Sequence, residues 1–84
     1  MPTYRVSVIN QTFRACNEHD VQSLDDAREQ GIKSALEIGA GEVARGKSFF
    51  GAEVRVEKGG ELLGRYVVSA GFSPLQDPSP DASG

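Results

Sequence analysis

Residues 23–48 have the sequence SLDDAREQGIKSALEIGAGEVARGKS and form the amphipathic segment around which the chain is organised. Ser23 followed by Asp26 has the spacing of a capping box, which predicts that a helix starts there. Acidic residues in the first turn also suit the positive end of the helix dipole. Gly46 is typical of a helix C-terminus, so we expect the helix to end near Arg45.

Small residues occupy the centre of the apolar face of this predicted helix. At about 100° per residue the apolar side chains cover roughly half of the circumference. Because Gly31 and Ala35 lie near the middle of that face, we expect the helix to approach a sheet closely. Gly39 and Gly41 each cost about 1 kcal/mol relative to alanine, which predicts bending or fraying before the end of the helix.

Strand patterns flank the helix on both sides. Alternating apolar and polar residues, bounded by turn signals, predict strands at residues 4–10, 12–16, 52–57 and 62–72, and a polar loop at residues 17–20. Gly59 and Gly60 provide the positive φ angles that a tight hairpin needs. The last strand carries apolar residues on both faces, so it must lie centrally or meet a second copy of the protein.

The order of these elements is ββαββ. It predicts a single α+β domain over residues 1–72, with one amphipathic helix packed on one face of a small, mainly antiparallel sheet. Residues 73–84 are rich in Pro, Ser and Asp, with almost nothing to bury, and predict a disordered tail.

Composition argues against several classes of protein. The formal net charge of the 84 residues is −3, and Asp77 and Asp81 provide two of the negative charges, so the predicted domain is nearly neutral and gives no general reason for polyanion binding. Cys16 is the single cysteine, which excludes a disulfide within the chain and favours a reducing compartment. No apolar run approaches the roughly 20 residues of a membrane span. These features predict a cytoplasmic protein without membrane contact.

The letters of a phosphate loop, G-x-x-x-x-G-K-[ST], occur at Gly41, Gly46, Lys47 and Ser48. A phosphate loop needs a strand before it and a helix beginning at its Lys-Ser end, so that amide groups and the positive helix terminus face phosphate. Here a predicted helix precedes the motif and a strand follows it. We therefore interpret these residues as a helix C-cap and disfavour nucleotide binding; no cofactor is expected.

Catalytic and metal sites find little support in the remaining residues. Cys16, His19 and Asp20 lie close in sequence, but positions 16 and 19 of a strand point to opposite faces. No second cysteine or histidine is present to complete a zinc site. We expect no catalytic residues, no metal site and no enzymatic activity.

An interaction face is the remaining candidate. In the predicted register Arg5, Arg14 and Arg55 share the sheet face away from the helix, while Tyr66 and Val68 belong to the two-faced last strand. Arginines on an open sheet suit RNA or an acidic partner, although Glu53 and Glu57 alternate with Arg55 and favour ion pairing instead. These five residues are the predicted interaction face.

Four segments of the chain form a pattern similar to that of a known family. They are the opening Met1-Pro2-x-Tyr4-x-Val6-x-Val8, DVQSLDDAR at residues 20–28, ARGK at residues 44–47 and GAEVRV at residues 51–56. Over about residues 1–70 the chain resembles a family of short bacterial proteins catalogued as domain of unknown function 6894. The resemblance implies a bacterial protein with this element order and brings no catalytic residue. A looser resemblance, in topology alone, is to HicB-type antitoxin domains.

Two functions follow as hypotheses. The first is a non-catalytic protein-interaction module that forms a homodimer, because a single helix covers one sheet face and the last strand is apolar on both sides. The alternative is a regulatory nucleic-acid-binding or antitoxin-like protein that uses the arginines of the sheet. An unidentified protein partner is compatible with either hypothesis.

Overall fold

The computed structural model describes residues 1–75. It consists of five elements in the predicted order: β1 (Thr3–Ile9), β2 (Arg14–Asp20), α1 (Leu24–Ala44), β3 (Phe49–Lys58) and β4 (Glu61–Gly71). All neighbouring strands are antiparallel and form one open sheet in the order β2-β1-β3-β4. The predicted α+β fold class is confirmed. Of the predicted tail, residues 73–75 have no regular secondary structure and residues 76–84 lie outside the described part of the chain.

Both predicted ends of α1 are confirmed. The Ser23 hydroxyl accepts a hydrogen bond from the Asp26 backbone N–H at 3.1 Å, and Arg45 caps the other end. Gly46 follows with φ +106°, the left-handed conformation that glycine adopts without strain. The helix is continuous through Gly39 instead of fraying there, because the absence of a side chain at this position makes room for the ring of Phe50.

The small-residue face of α1 lies directly on the sheet, as predicted. A Cβ atom added to Gly31 would lie 2.5 Å from Val54 Cγ1 and 2.8 Å from Val6 Cγ1, so the helix backbone touches the core strands at this point. Ala35 is fully buried one turn later. The core therefore lies between α1 and the valine-rich centres of β1 and β3.

The prediction for the second strand is wrong. β2 runs over Arg14–Asp20, so the polar stretch assigned to a loop pairs with β1 along its whole length. The turn before it is longer than expected, because the Asn10 side chain accepts hydrogen bonds from the backbone N–H groups of Thr12 and Phe13. Polar side chains are tolerated in β2 because it is an edge strand with much of its surface in solvent.

The hairpin between β3 and β4 has the predicted tight turn. Gly59 and Gly60 have φ angles of +59° and +84°, as a type I′ turn requires. A β-bulge at Val56/Glu57 shifts the register, so that Val56 lies opposite Gly64 and Glu57 opposite Leu62. The register separates a helix face, which contacts α1, from an open face on the other side of the sheet.

Candidate functional site

The phosphate-loop letters lie in the C-terminal end of α1. The Gly46 N–H donates to the Val43 carbonyl at 3.0 Å and the Lys47 N–H donates to the Glu42 carbonyl at 3.1 Å, which together form a Schellman motif. The Glu42 carboxylate also lies 3.8 Å from the Lys47 ammonium. The backbone amides of Gly46 and Lys47 and the Lys47 ammonium, which a phosphate would require, are thus already bonded to the end of α1. Ser48 is followed by β3 and not by a helix.

The Cys16, His19 and Asp20 side chains do not converge. Cys16 lies opposite Ser7 on the open face, whereas His19 lies opposite Tyr4 on the helix face. Asp20 accepts a hydrogen bond from the Thr3 hydroxyl at 2.6 Å. Within residues 1–75, no three His, Cys, Asp or Glu side chains cluster as metal ligands do.

The predicted arginines do share the open face, where they alternate with carboxylates. Arg5 lies opposite both Glu18 and Glu57. Arg55 and Arg65 lie opposite each other on β3 and β4, and both donate to the same oxygen of Glu53. The Arg65 hydrogen bond and then the Arg55 hydrogen bond lower the pKa of Glu53 to about 2. This part of the open face therefore carries charges of both signs, not a cationic patch.

Tyr66 and Val68 lie on the opposite side of the sheet from the arginines. They face Val54 and Ala52 on the helix face, and Val68 is buried beneath α1. The five residues of the predicted interaction face are thus divided between two faces. Tyr66 and Val68 belong to the same strand as Arg65, β4. This strand has no neighbour on its outer side among residues 1–75.

The outer side of β4 is long and apolar. We call it the β4 edge and define it as Leu62, Leu63, Arg65, Tyr66, Val67 and Ser69 together with the free backbone groups of the strand. Val67 is 84% exposed, and Leu62 and Leu63 are also exposed. The opposite edge, β2, instead carries Arg14, Glu18 and Asp20. Charged residues protect an edge strand from pairing with another chain. Arg65 is the one charged member of the β4 edge and is paired with Glu53 of β3, so β4 is the unprotected edge.

An apolar groove runs beside the β4 edge on the helix side. It has a volume of about 730 Å³ and lies between Tyr66 and a row of α1 residues that includes Ile32, Leu36 and Ala40. Leu36 is 45% exposed in this groove. Sequence reasoning missed the groove, although a signal was present: the apolar half-circumference of α1 is wider than one sheet contact requires.

Two further results concern membrane contact and similarity to known proteins. Within residues 1–75 there is no helix with both the length and the apolar character of a membrane span. Comparisons with protein-family models, curated proteins and solved structures found no match to this chain. The resemblance to domain of unknown function 6894 stays a hypothesis.

Proposed function

We propose that this protein is a non-catalytic interaction module that self-associates through the β4 edge. The observation that carries the proposal is an 11-residue edge strand with exposed apolar side chains and no covering element in residues 1–75. A long apolar edge is a ready template for pairing with another strand. The single cysteine supports placing this module in the reducing cytoplasm.

Self-association is favoured over pairing with an unrelated strand by the asymmetry between the two edges. β2 carries charges, whereas β4 presents Val67, Leu62 and Leu63. Two copies of one antiparallel edge pair about a two-fold axis, which buries both edges at once and closes the assembly. In a dimer of this kind, the strands at the two ends of the sheet are both β2, which carries charges. Only β2 then needs protection from pairing with further chains.

Light scattering coupled to size-exclusion chromatography tests the proposal on the full chain. We expect a dimer at high micromolar concentration. Val67→Lys should weaken association at least tenfold, or about 1.4 kcal/mol, because lysine ammonium groups from both copies would meet at the joined edge. Cys16→Lys is the matched control, since Cys16 is an exposed strand residue on the other edge.

A wild-type chain that elutes as a monomer at high micromolar concentration would show that the proposal is wrong. Equal weakening by Val67→Lys and Cys16→Lys would also contradict it, because the effect would then follow net charge and not the β4 edge.

A further inference from the structure

We infer that the partner at the β4 edge is a second copy held in one defined register, with Val67 opposite the partner's Val67. The two four-stranded sheets then form one continuous eight-stranded sheet, with both helices on the same side. This inference rests on the proposed function, and it adds the geometry of the interface and the second layer of contacts on α1.

The hydrogen bonding of β4 determines which backbone groups are free to pair. The Phe72 N–H donates to the Ser48 carbonyl at 2.9 Å, across the gap towards β3. Because N–H and C=O groups of successive strand residues point to alternate sides, Ala70, Val68 and Tyr66 also bond towards β3. The residues whose N–H and C=O groups point outward are therefore Arg65, Val67, Ser69 and Gly71.

Side-chain chemistry selects among the registers that these outward groups allow. Centring the two-fold axis on Val67 places Val67 against its own copy on the open face and Tyr66 against the partner's Val68 on the helix face. A shift by one pair in either direction sets Val67 opposite the partner's Arg65 or the partner's Ser69. Apolar pairs directly opposite each other stabilise a sheet, so the register centred on Val67 is preferred on the open face, and it also keeps an apolar pair on the helix face.

The groove along α1 is complementary to a second copy of itself. Arg28, Ile32, Leu36 and Ala40 lie four residues apart on the β4 side of the helix. A two-fold axis through Val67 makes the two helices antiparallel and brings the two grooves to face each other. The groove is also lined by charged side chains. It has two cations, Arg28 and Lys33, and two anions, Glu29 and Glu37. This balance suits an identical surface better than a strongly acidic or basic peptide.

The size of the surface is that of a specific interface. In this register the two β4 strands overlap over residues 63–71, a length of about 30 Å, and the sheet and helix layers together make the edge about 20 Å deep, so each copy contributes about 600 Å², at the lower end of the range of specific interfaces. Standard interfaces bury about 800 Å² per partner. Pairing through the backbone alone would use only part of this surface, and the exposed Leu36 would remain in solvent.

Cysteine cross-linking under air tests the register. In a Cys16→Ser background, Val67→Cys should form an intermolecular disulfide, because directly opposed residues lie about 5.5 Å apart between Cα atoms. Arg65→Cys alone and Ser69→Cys alone should not cross-link, since the Cα atom of each lies about 14 Å from that of its own copy. A mixture of Arg65→Cys and Ser69→Cys proteins should cross-link, because the register sets these two positions opposite each other.

The outcomes separate the register from the proposed function. Dimers by light scattering in which Val67→Cys does not cross-link would overturn the register and leave the interaction module standing. Cross-linking by all three single variants would overturn it as well, since it would indicate random collision. A wild-type monomer would overturn both. A full-length chain could also be a monomer and dimerise only when it is cut after Leu75. That result would mean that residues 76–84 of the same chain occupy the β4 edge, and it would overturn the inference.

Leu36→Asp in the Val67→Cys protein tests the helix layer. We expect cross-linking to fall at least tenfold, because the substitution puts two carboxylates into the joined groove. Ala44→Asp, at an exposed position beyond the groove at the end of α1, is the control and should leave cross-linking unchanged. Unchanged cross-linking in Leu36→Asp would restrict the interface to the strands.

Discussion

Glu53 connects two strands of the open face through one carboxylate oxygen. Arg65 Nε lies 2.5 Å and Arg55 Nε 2.9 Å from this oxygen. Arg55 and Arg65 are directly opposite in the β3–β4 register, where two like charges would repel each other. The shared carboxylate offsets this repulsion, so these arginines stabilise the sheet and are not free for a phosphate backbone.

The titration of Glu53 tests this arrangement of charges. Its pKa is lowered from 4.5 to about 2, with Arg65 as the largest cause. A lowered pKa in the folded state gives stability that is present above pH 4.5 and is lost as the pH falls from 4.5 through about 2. NMR titration of the Glu53 side-chain carboxyl carbon should show this low midpoint, and Arg65→Ala should raise it.

Arg28→Ala is the control for this titration, because Arg28 belongs to α1 on the other side of the sheet and forms an ion pair with Asp25 instead. A wild-type Glu53 that titrates near pH 4.5 would contradict the arrangement of the two arginines.

The helix uses its glycines for two different purposes. Gly31 lies against Val54 and Val6 in the core, whereas a Cβ atom on Gly41 would lie no closer than 3.6 Å to the flexible Arg45 side chain. Branched valine side chains in central strands have little freedom to move away. The same residue type therefore permits close packing at one position and only weakens the helix at the other.

Alanine substitutions should separate these two purposes. Gly41→Ala should stabilise the protein by about 0.5–1 kcal/mol through helix propensity. Gly31→Ala gains the same propensity but overpacks the core, so we expect a net loss of about 1–2 kcal/mol. Urea denaturation followed by circular dichroism measures both free energies of unfolding. Stabilisation by both substitutions would mean that α1 does not lie as close to the sheet as described.

The whole molecule has one protected and one unprotected edge. A chain of 84 residues buries a modest core, and Val67, Leu36 and Leu62 leave part of its apolar surface in solvent. Covering that surface with a second copy adds to stability by mass action. Folding and association should therefore be linked in this protein.

The linkage predicts that the melting temperature depends on concentration. A tenfold increase in wild-type protein should raise the midpoint by roughly 3–6 °C, because dissociation accompanies unfolding. Val67→Lys should melt at a lower temperature than the wild type at each concentration at which the wild type is a dimer, because its association is weaker. Scanning calorimetry over a hundredfold concentration range measures both. A wild-type midpoint that does not change with concentration would contradict the linkage.

Local interactions explain what could be predicted without a structure. The capping box at Ser23, the helix stop at Gly46 and the turn at Gly59 and Gly60 each depend on residues within a few positions of one another. The element order and the fold class follow from these signals and from the alternation in the strands. The helix-to-strand order also identified the phosphate-loop letters as a helix end, which the Schellman hydrogen bonds now describe.

Contacts between distant residues explain the rest. The extent of β2 depends on pairing with β1, which outweighs the polar character of residues 17–20. Strand order makes β4 an edge, and the β3–β4 register places Arg55 and Tyr66 on opposite faces, whereas the sequence predicts one shared interaction face. The β4 edge and its groove lie where the sheet extends beyond the part that α1 covers. This arrangement depends on how distant elements pack, and no local sequence pattern predicts it. Sequence alone therefore determined the elements and their ends, whereas tertiary packing determined which apolar surface remains for a partner, because exposure depends on neighbours remote in the chain.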